Sequence, residues 1–266
     1  MKLFIRPRII PTLLIDEGNL VKTKQFKNPN YLGDPINAIK IFNEKNVDEL
    51  CVLDISASKK GKEPNMDLLL NMASEAFMPL SYGGGITDFN QIKEIFALGF
   101  EKVVLNTALV NDPKLVTEAV EYFGSQSIVA SVDYKTRLGK ERCYINDATQ
   151  KTNYTPVDMA KYAEKLGVGE ILLYSMERDG TKKGYDLKTI AKVVGQVEVP
   201  VIACGGAGNI CDLRECLEKT GVHAVAAGSI FVYFGTRDAV LINFPEEDVL
   251  IKNKIFRKVD GGDGRI

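Results

Sequence analysis

The sequence predicts an α/β fold, a (βα)8 or TIM barrel, on three observations. Short apolar runs rich in β-branched residues alternate with amphipathic stretches of helical period along the whole chain, which signals parallel strands joined by helical crossovers. The alternation gives eight of each within 266 residues, the count of one such barrel. An offset of 122 residues (205 − 83 and 228 − 106) relates Gly83-Gly84 to Gly205-Gly206 and Asn106-Thr107 to Gly228-Ser229, so the chain reads as a duplicated (βα)4 half-barrel. The halves span about residues 1–124 and 125–258, and a glycine-rich, flexible tail is expected over 259–266. A doubly wound open sheet competes, but it usually carries a G-x-G-x-x-G turn after its first strand, and none follows Leu14.

The elements follow in order. The apolar run Arg8–Leu14 is the first strand, and the period of Pro35–Asn46 makes the first helix. Strand Glu49–Asp54 precedes helix Asn65–Ala76, strand Met78–Tyr82 precedes helix Asn90–Leu98, and strand Lys102–Leu105 precedes helix Lys114–Phe123. The second half repeats the alternation: strand Ile128–Asp133 with helix Val157–Leu166, Glu170–Tyr174 with Leu187–Val194, Pro200–Ala203 with Ile210–Glu218, and His223–Ala227 with Glu246–Ile255. Between the fifth strand and its helix, Lys135–Asn153 carries Gly139 and the alternating Arg142-Cys143-Tyr144-Ile145, the pattern of an inserted hairpin.

Composition narrows the functions. With 34 Lys+Arg against 35 Asp+Glu, the chain lacks the positive footprint that phosphate-backbone binding needs, so nucleic acid is not an expected partner. No apolar run approaches the ~20 residues that cross a bilayer, and Met1–Arg8 lacks the apolar stretch of a signal peptide. A cytoplasmic protein without a membrane partner is expected. Five cysteines form no CxxC pair, which argues for buried free thiols rather than a disulfide frame or metal site. No cofactor and no metal are expected. His223 is the only histidine, and it falls at the barrel bottom, where residues serve stability. Acid–base chemistry therefore falls to carboxylates, cysteines or lysines.

In such a barrel, ligands bind where strands end, and each half places small residues there. Gly83, Gly84, Asn106 and Thr107 form one station, and Gly205, Gly206, Gly228 and Ser229 form the other. Glycines let backbone N–H groups approach an anion, hydroxyls add donors, and the following helix N-terminus adds its dipole. Two stations suggest a ligand with two phosphates, although the same glycines also suit tight turns alone. Asp133 closes its strand and points its carboxylate into the mouth, where burial can raise its pKa for general acid or base work. Asp54 ends the second strand similarly. Asp179-Gly180-Thr181 either orients a polar ligand or forms a turn.

Arg8-Ile9-Ile10-Pro11, Val52-Leu53-Asp54-Ile55-Ser56-Ala57-Ser58, Tyr82-Gly83-Gly84-Gly85-Ile86, Asn106-Thr107-Ala108, Phe123-Gly124-Ser125-Gln126, Arg178-Asp179-Gly180-Thr181 and Cys204-Gly205-Gly206-Ala207-Gly208 together resemble the HisF family. HisF is the cyclase subunit of imidazole glycerol phosphate synthase. The resemblance runs from about Arg8 to about Tyr233. It implies a HisH-like glutaminase partner in a heterodimer, with ammonia released at the barrel bottom and carried through the interior to the mouth. It further implies that Arg8, Glu49, Lys102 and Glu170 form an ammonia gate, that Lys22 matches a lysine of the mobile loop after the first strand, that the two stations match the family's phosphate sites, and that Asp133 is one of two catalytic aspartates.

The second aspartate is absent. Alignment puts Leu14 where the family has it, at the end of the first strand. Asp16 lies two residues on and points the same way if the strand continues, ~6–7 Å further along, so Asp16 is the substitute candidate. The resemblance then implies a diverged HisF paralogue, of the kind found in surface-polysaccharide gene clusters, where a third protein, a sugar amidotransferase, makes an acetamidino group. An authentic histidine-pathway cyclase that tolerates Leu14 is the alternative. A third reading is a non-catalytic scaffold whose phosphorylated ligand switches the glutaminase on.

Overall fold

A computed structural model describes residues 3–235 and 237–259 and shows eight parallel strands closed into a barrel. They are β1 (Arg8–Asp16), β2 (Leu50–Asp54), β3 (Leu80–Gly83), β4 (Lys102–Leu105), β5 (Ile128–Arg137), β6 (Glu170–Ser175), β7 (Val201–Cys204) and β8 (Ala224–Ala227). Each pairs with the next, and β8 returns to β1 from Ala224 opposite Arg8 to Ala227 opposite Pro11. Closure leaves the barrel without an open edge.

Eight helices alternate with these strands: α1 (Pro35–Glu44), α2 (Met66–Glu75), α3 (Phe89–Ala97), α4 (Pro113–Phe123), α5 (Pro156–Lys165), α6 (Leu187–Val194), α7 (Ile210–Thr220) and α8 (Glu247–Lys252). Local chemistry sets where they start. Asp34, Asn65, Asp88, Asp112, Thr155, Asp186 and Asn209 each accept a first-turn backbone N–H, and Pro35, Pro113 and Pro156 take the first turn, where a missing N–H costs nothing. The predicted last helix, Glu246–Ile255, is shorter at both ends.

Side chains alternate along β1. Arg8 reaches Glu170 on β6 across the barrel, so the residues in phase with it, Ile10, Thr12, Leu14 and Asp16, face the lumen. Ile10 packs there with Cys51, Val104, Leu172 and Ile202, while Ile9, Leu13 and Ile15 join the layer beneath the helices.

Three departures from the sequence reading bear on the site. First, β1 does not stop at Leu14; it continues to Asp16 because Leu14, Ile15 and Asp16 pair antiparallel with Val21, Leu20 and Asn19. Second, the segment after β1 is a hairpin of Asn19–Lys24 and Lys27–Gly33, turned at Gln25 and Phe26, both of positive φ. Third, β5 runs beyond Asp133 to Arg137, turns at Leu138-Gly139 and returns as Lys140–Ile145, which gives the inserted hairpin a long ladder.

At the periphery, Leu3–Ile5 pairs with Arg257–Val259, so Val259 belongs to a strand, and residues 260–266 of the expected tail lie outside the described residues. Cys51, Cys143, Cys204 and Cys216 are buried free thiols, but Cys211 is exposed: it sits in the first turn of α7 on the solvent side, while Leu213 and Cys216 face inward. His223 is exposed immediately before β8. Among the described residues, no helix is long and apolar enough to cross a membrane.

Candidate active site

Four charged side chains at the starts of four strands form a closed ring. Arg8 opens β1, Glu49 precedes β2, Lys102 opens β4 and Glu170 opens β6. Arg8 Nη1 lies 2.6 Å from Glu49 Oε2, Lys102 Nζ lies 3.1 Å from both Glu49 oxygens and 2.8 Å from Glu170 Oε2, and Arg8 also pairs with Glu170. Both glutamates are buried. Two cations and two anions alternate, so each buried carboxylate has a partner on either side, which offsets its desolvation.

At the strand ends lies a cavity of about 410 Å³. Leu14 and Asp16 from β1, Leu53 and Asp54 at the end of β2, Gly83 ending β3 and Gly84 after it, Asn106 and Thr107 after β4, and Asp133 of β5 all line it. Asp133 is the most enclosed of the carboxylates. Its Oδ1 accepts from Ser131 Oγ at 2.7 Å. Burial pushes the Asp133 carboxyl up to about 7, the Ser131 hydroxyl opposes the rise, and the Asp147 carboxylate adds to it. A carboxyl poised there exchanges protons near neutral pH, which suits a general acid or base.

The structure places Asp16 on the same face as Leu14 and in the same cavity, more exposed and 3.5 Å from Lys60 Nζ. Asp54 has a structural task besides lining the cavity. Its Oδ1 accepts from Ser56 N, Ser56 Oγ and Ala57 N at 2.9–3.0 Å, which holds the backbone that enters the short helix Ala57–Lys60.

The first glycine station is open to the cavity. Gly84 has φ +129, and a Cβ there would meet Asp54 O at 2.5 Å, so the glycine is required by geometry whether or not an anion binds. Asn106 Nδ2 donates to Ser131 O and Tyr144 O, and Thr107 Oγ1 accepts from Asn146 N, so this pair also pins the inserted hairpin to the barrel. The second station is covered. Gly205, Gly206, Gly228 and Ser229 do not line the cavity; a Cβ on Gly228 would lie 3.1 Å from Lys22 Cε, and Ser229 is buried.

Lys22 covers that side because the β1 hairpin folds down onto the loop after β6. Lys22 and Asp179 are each almost wholly buried, and Nζ lies 2.6 Å from Oδ1. Asp179 also accepts from Thr23 Oγ1 at 2.7 Å and Tyr174 OH at 3.0 Å, Gln25 N donates to the Asp179 carbonyl, and Phe26 packs edge-on against Tyr174 at 4.8 Å. Gly180 permits this closure: its φ is +67, and a Cβ would meet Thr23 O at 2.5 Å. Asp179-Gly180 is thus a clamp for the hairpin, which goes beyond either the turn or the ligand site that the sequence suggests.

Sequence reasoning missed Asp147 and Lys59, both in the cavity wall. Asp147 sits between Asn146 and Ala148, and all three have positive φ, an arrangement with no glycine to signal it. Burial pushes its carboxyl up to about 6; Lys59 opposes the rise, and Asp16 and Asp54 add to it. Lys59 follows the Ser56-Ala57-Ser58 run, and its place after a barrel strand was the available signal. Among the described residues, no group of three or more His, Cys, Asp or Glu side chains is disposed to hold a metal ion.

Comparison with known proteins agrees with this architecture. A family model described as "Histidine biosynthesis protein" matches residues 8–238. A Pseudomonas aeruginosa protein named "Putative imidazole glycerol phosphate synthase subunit hisF2" is 48% identical over 247 residues, 92% of this chain and 98% of that protein. A Leptospira interrogans protein named "Putative imidazole glycerol phosphate synthase subunit HisF" is 46% identical over 246 residues, 92% of this chain and 97% of that protein. A Clostridium botulinum (strain Okra) "Imidazole glycerol phosphate synthase subunit HisF" is 40% identical over 229 residues, 85% of this chain and 90% of that protein. With the match running from Arg8 of the ring to Asp238 beyond β8, and full-length relatives that bear the HisF name, the chain belongs to the histidine biosynthesis protein family as a HisF-type barrel.

Proposed function

We propose that the chain is a HisF-type synthase subunit that takes ammonia from a HisH-like glutaminase bound beneath the barrel, in a cytoplasmic heterodimer. The ammonia passes the Arg8–Glu49–Lys102–Glu170 ring, crosses the lumen and meets a phosphorylated small molecule at the mouth. The observation that carries this reading is one lumen with a closed charge ring at its base and the Asp133 cavity at its top. Midway, Thr12 presents a buried hydroxyl without a hydrogen-bond partner among the described residues, where a small polar guest would gain a contact. The glycine-built station of Gly83, Gly84, Asn106 and Thr107, together with Lys59, supplies donors and positive charge for phosphate, and Lys22 with Asp179 holds the hairpin that covers the second station.

Leu14 supports a diverged branch, because an alkyl group cannot move protons. The numbered name hisF2 of the Pseudomonas relative fits a paralogue line. In that branch the ammonia serves a sugar amidotransferase that builds an acetamidino group for surface polysaccharide. One observation favours a second reading, the histidine-pathway cyclase itself: Asp16 shares the cavity with Asp133. The test mixes the chain with a HisH-type glutaminase and glutamine and follows glutamate. Acceleration of glutamate release by the chain, lost on Arg8→Ala together with Lys102→Ala, supports the partnership; unchanged release with intact protein refutes it.

A further inference from the structure

Condensing ammonia with a carbonyl compound forms a C–N bond and gives an imine plus one molecule of water. Two protons pass from the nitrogen to the former carbonyl oxygen, which departs as that water, and no electrons are gained or lost. Such a step uses one group that takes a proton from nitrogen and one that gives a proton to the departing oxygen. Four carboxylates line the mouth cavity, namely Asp16, Asp54, Asp133 and Asp147, and their surroundings separate them. Asp54 gives one oxygen to three donors of Ser56 and Ala57 at the start of the helix Ala57–Lys60. Asp16 is partly exposed and sits beside the Lys60 ammonium. Asp133 is buried with one hydroxyl donor. The Asp147 carboxylate makes no hydrogen bond or ion pair among the described residues, yet faces the same space.

We infer that Asp147 is the second acid–base carboxylate of the mouth, working with Asp133 on the ligand that receives ammonia there. The inference rests on the ammonia-delivery reading. The inserted hairpin delivers Asp147: Tyr144 pairs with Asp133, Asn106 holds the Tyr144 carbonyl, Thr107 holds the Asn146 N–H, and three consecutive left-handed residues, Asn146, Asp147 and Ala148, reverse the chain at that point. Three non-glycine residues in this region cost free energy, and here they coincide with a carboxylate in the cavity. The charges facing Asp147 are Lys59, Asp16, Asp54 and Asp133. Burial raises both Asp133 and Asp147 toward neutrality, and the Asp147 charge raises Asp133 further, so removing the Asp147 charge lowers Asp133.

The experiment has two arms on the full chain with its glutaminase. In the first, carboxyl carbon NMR follows Asp133 across pH 4 to 9 without ligand. Asp147→Asn is expected to shift the Asp133 titration to lower pH, whereas Asp147→Glu keeps it; an Asp133 titration unmoved by Asp147→Asn overturns the pairing whatever the turnover. In the second, ammonium chloride and the phosphoribulosyl formimino carboxamide ribonucleotide are supplied and product formation is followed against pH. Asp147→Asn is expected to lower turnover by about 10²-fold or more and remove one limb of the pH profile, with partial rescue in Asp147→Glu. Undiminished turnover with an unchanged profile overturns the role. Coupled titrations in a wild-type chain that turns over none of this substrate leave the pair standing and count against the substrate named for it, so the two failures are distinct.

Discussion

Replacing Asp133 with asparagine isolates the free energy stored at the mouth. In the folded chain the Asp133 carboxyl is raised from 3.8 to about 7, chiefly by burial. The folded state therefore binds this proton more tightly than the unfolded state, so the stability it contributes is fully present below pH ~4 and is lost as pH rises through 7. The full difference is on the order of 4 kcal/mol, of which about 2 kcal/mol falls between pH 5 and pH 7. Asparagine keeps an acceptor for Ser131 Oγ and carries no charge. The wild-type chain should thus lose stability relative to Asp133→Asn across this window, and the gap should level off near pH 8. Urea unfolding at pH 5, 6, 7 and 8, with equal slopes for the two proteins, reads the gap directly. Parallel stability curves would refute the assignment of a buried, protonation-poised carboxyl to Asp133.

Three further perturbations follow from the same geometry. Gly180→Ala forces a Cβ onto Thr23 O at a residue of φ +67 and should cost about 1–3 kcal/mol; faster protease cleavage within residues 19–33 would report the released hairpin. Lys102→Met leaves buried Glu49 and Glu170 to share Arg8 alone, with an expected loss of about 1–3 kcal/mol in urea unfolding; a loss below ~0.5 kcal/mol would mean that the ring is not cooperative. Leu14→Asp adds a carboxylate on the lumen face of β1 and should raise formation of imidazole glycerol phosphate at least ~10-fold. An unchanged rate would place the divergence in the loops instead.

The barrel was legible because period-two burial on strands and helical period between them are local properties of the chain. Helix starts shifted by a residue where caps such as Asp112 and Thr155 decide the boundary. The ring was legible only through resemblance, since Arg8, Glu49, Lys102 and Glu170 meet through barrel closure. The place of Asp16 was open because the length of β1 depends on pairing with Asn19–Val21. Asp179 looked like a turn or ligand residue, and its role as a clamp depends on a hairpin about 150 residues earlier in the chain. Asp147 carried no signal, because its direction rests on three left-handed residues, the first of them, Asn146, held by Thr107. The 122-residue offset located both glycine stations, but not the hairpin that covers one of them.

The most direct test is the ratio of two products in one vessel. The chain, a HisH-type glutaminase, glutamine and the phosphoribulosyl formimino carboxamide ribonucleotide are combined, and glutamate and imidazole glycerol phosphate are measured together. A diverged ammonia-delivering HisF-type subunit gives accelerated glutamate release with imidazole glycerol phosphate far below one per glutamate. Imidazole glycerol phosphate formed one for one with glutamate would contradict the divergence, and glutamate release unaffected by the chain would contradict the ammonia partnership itself.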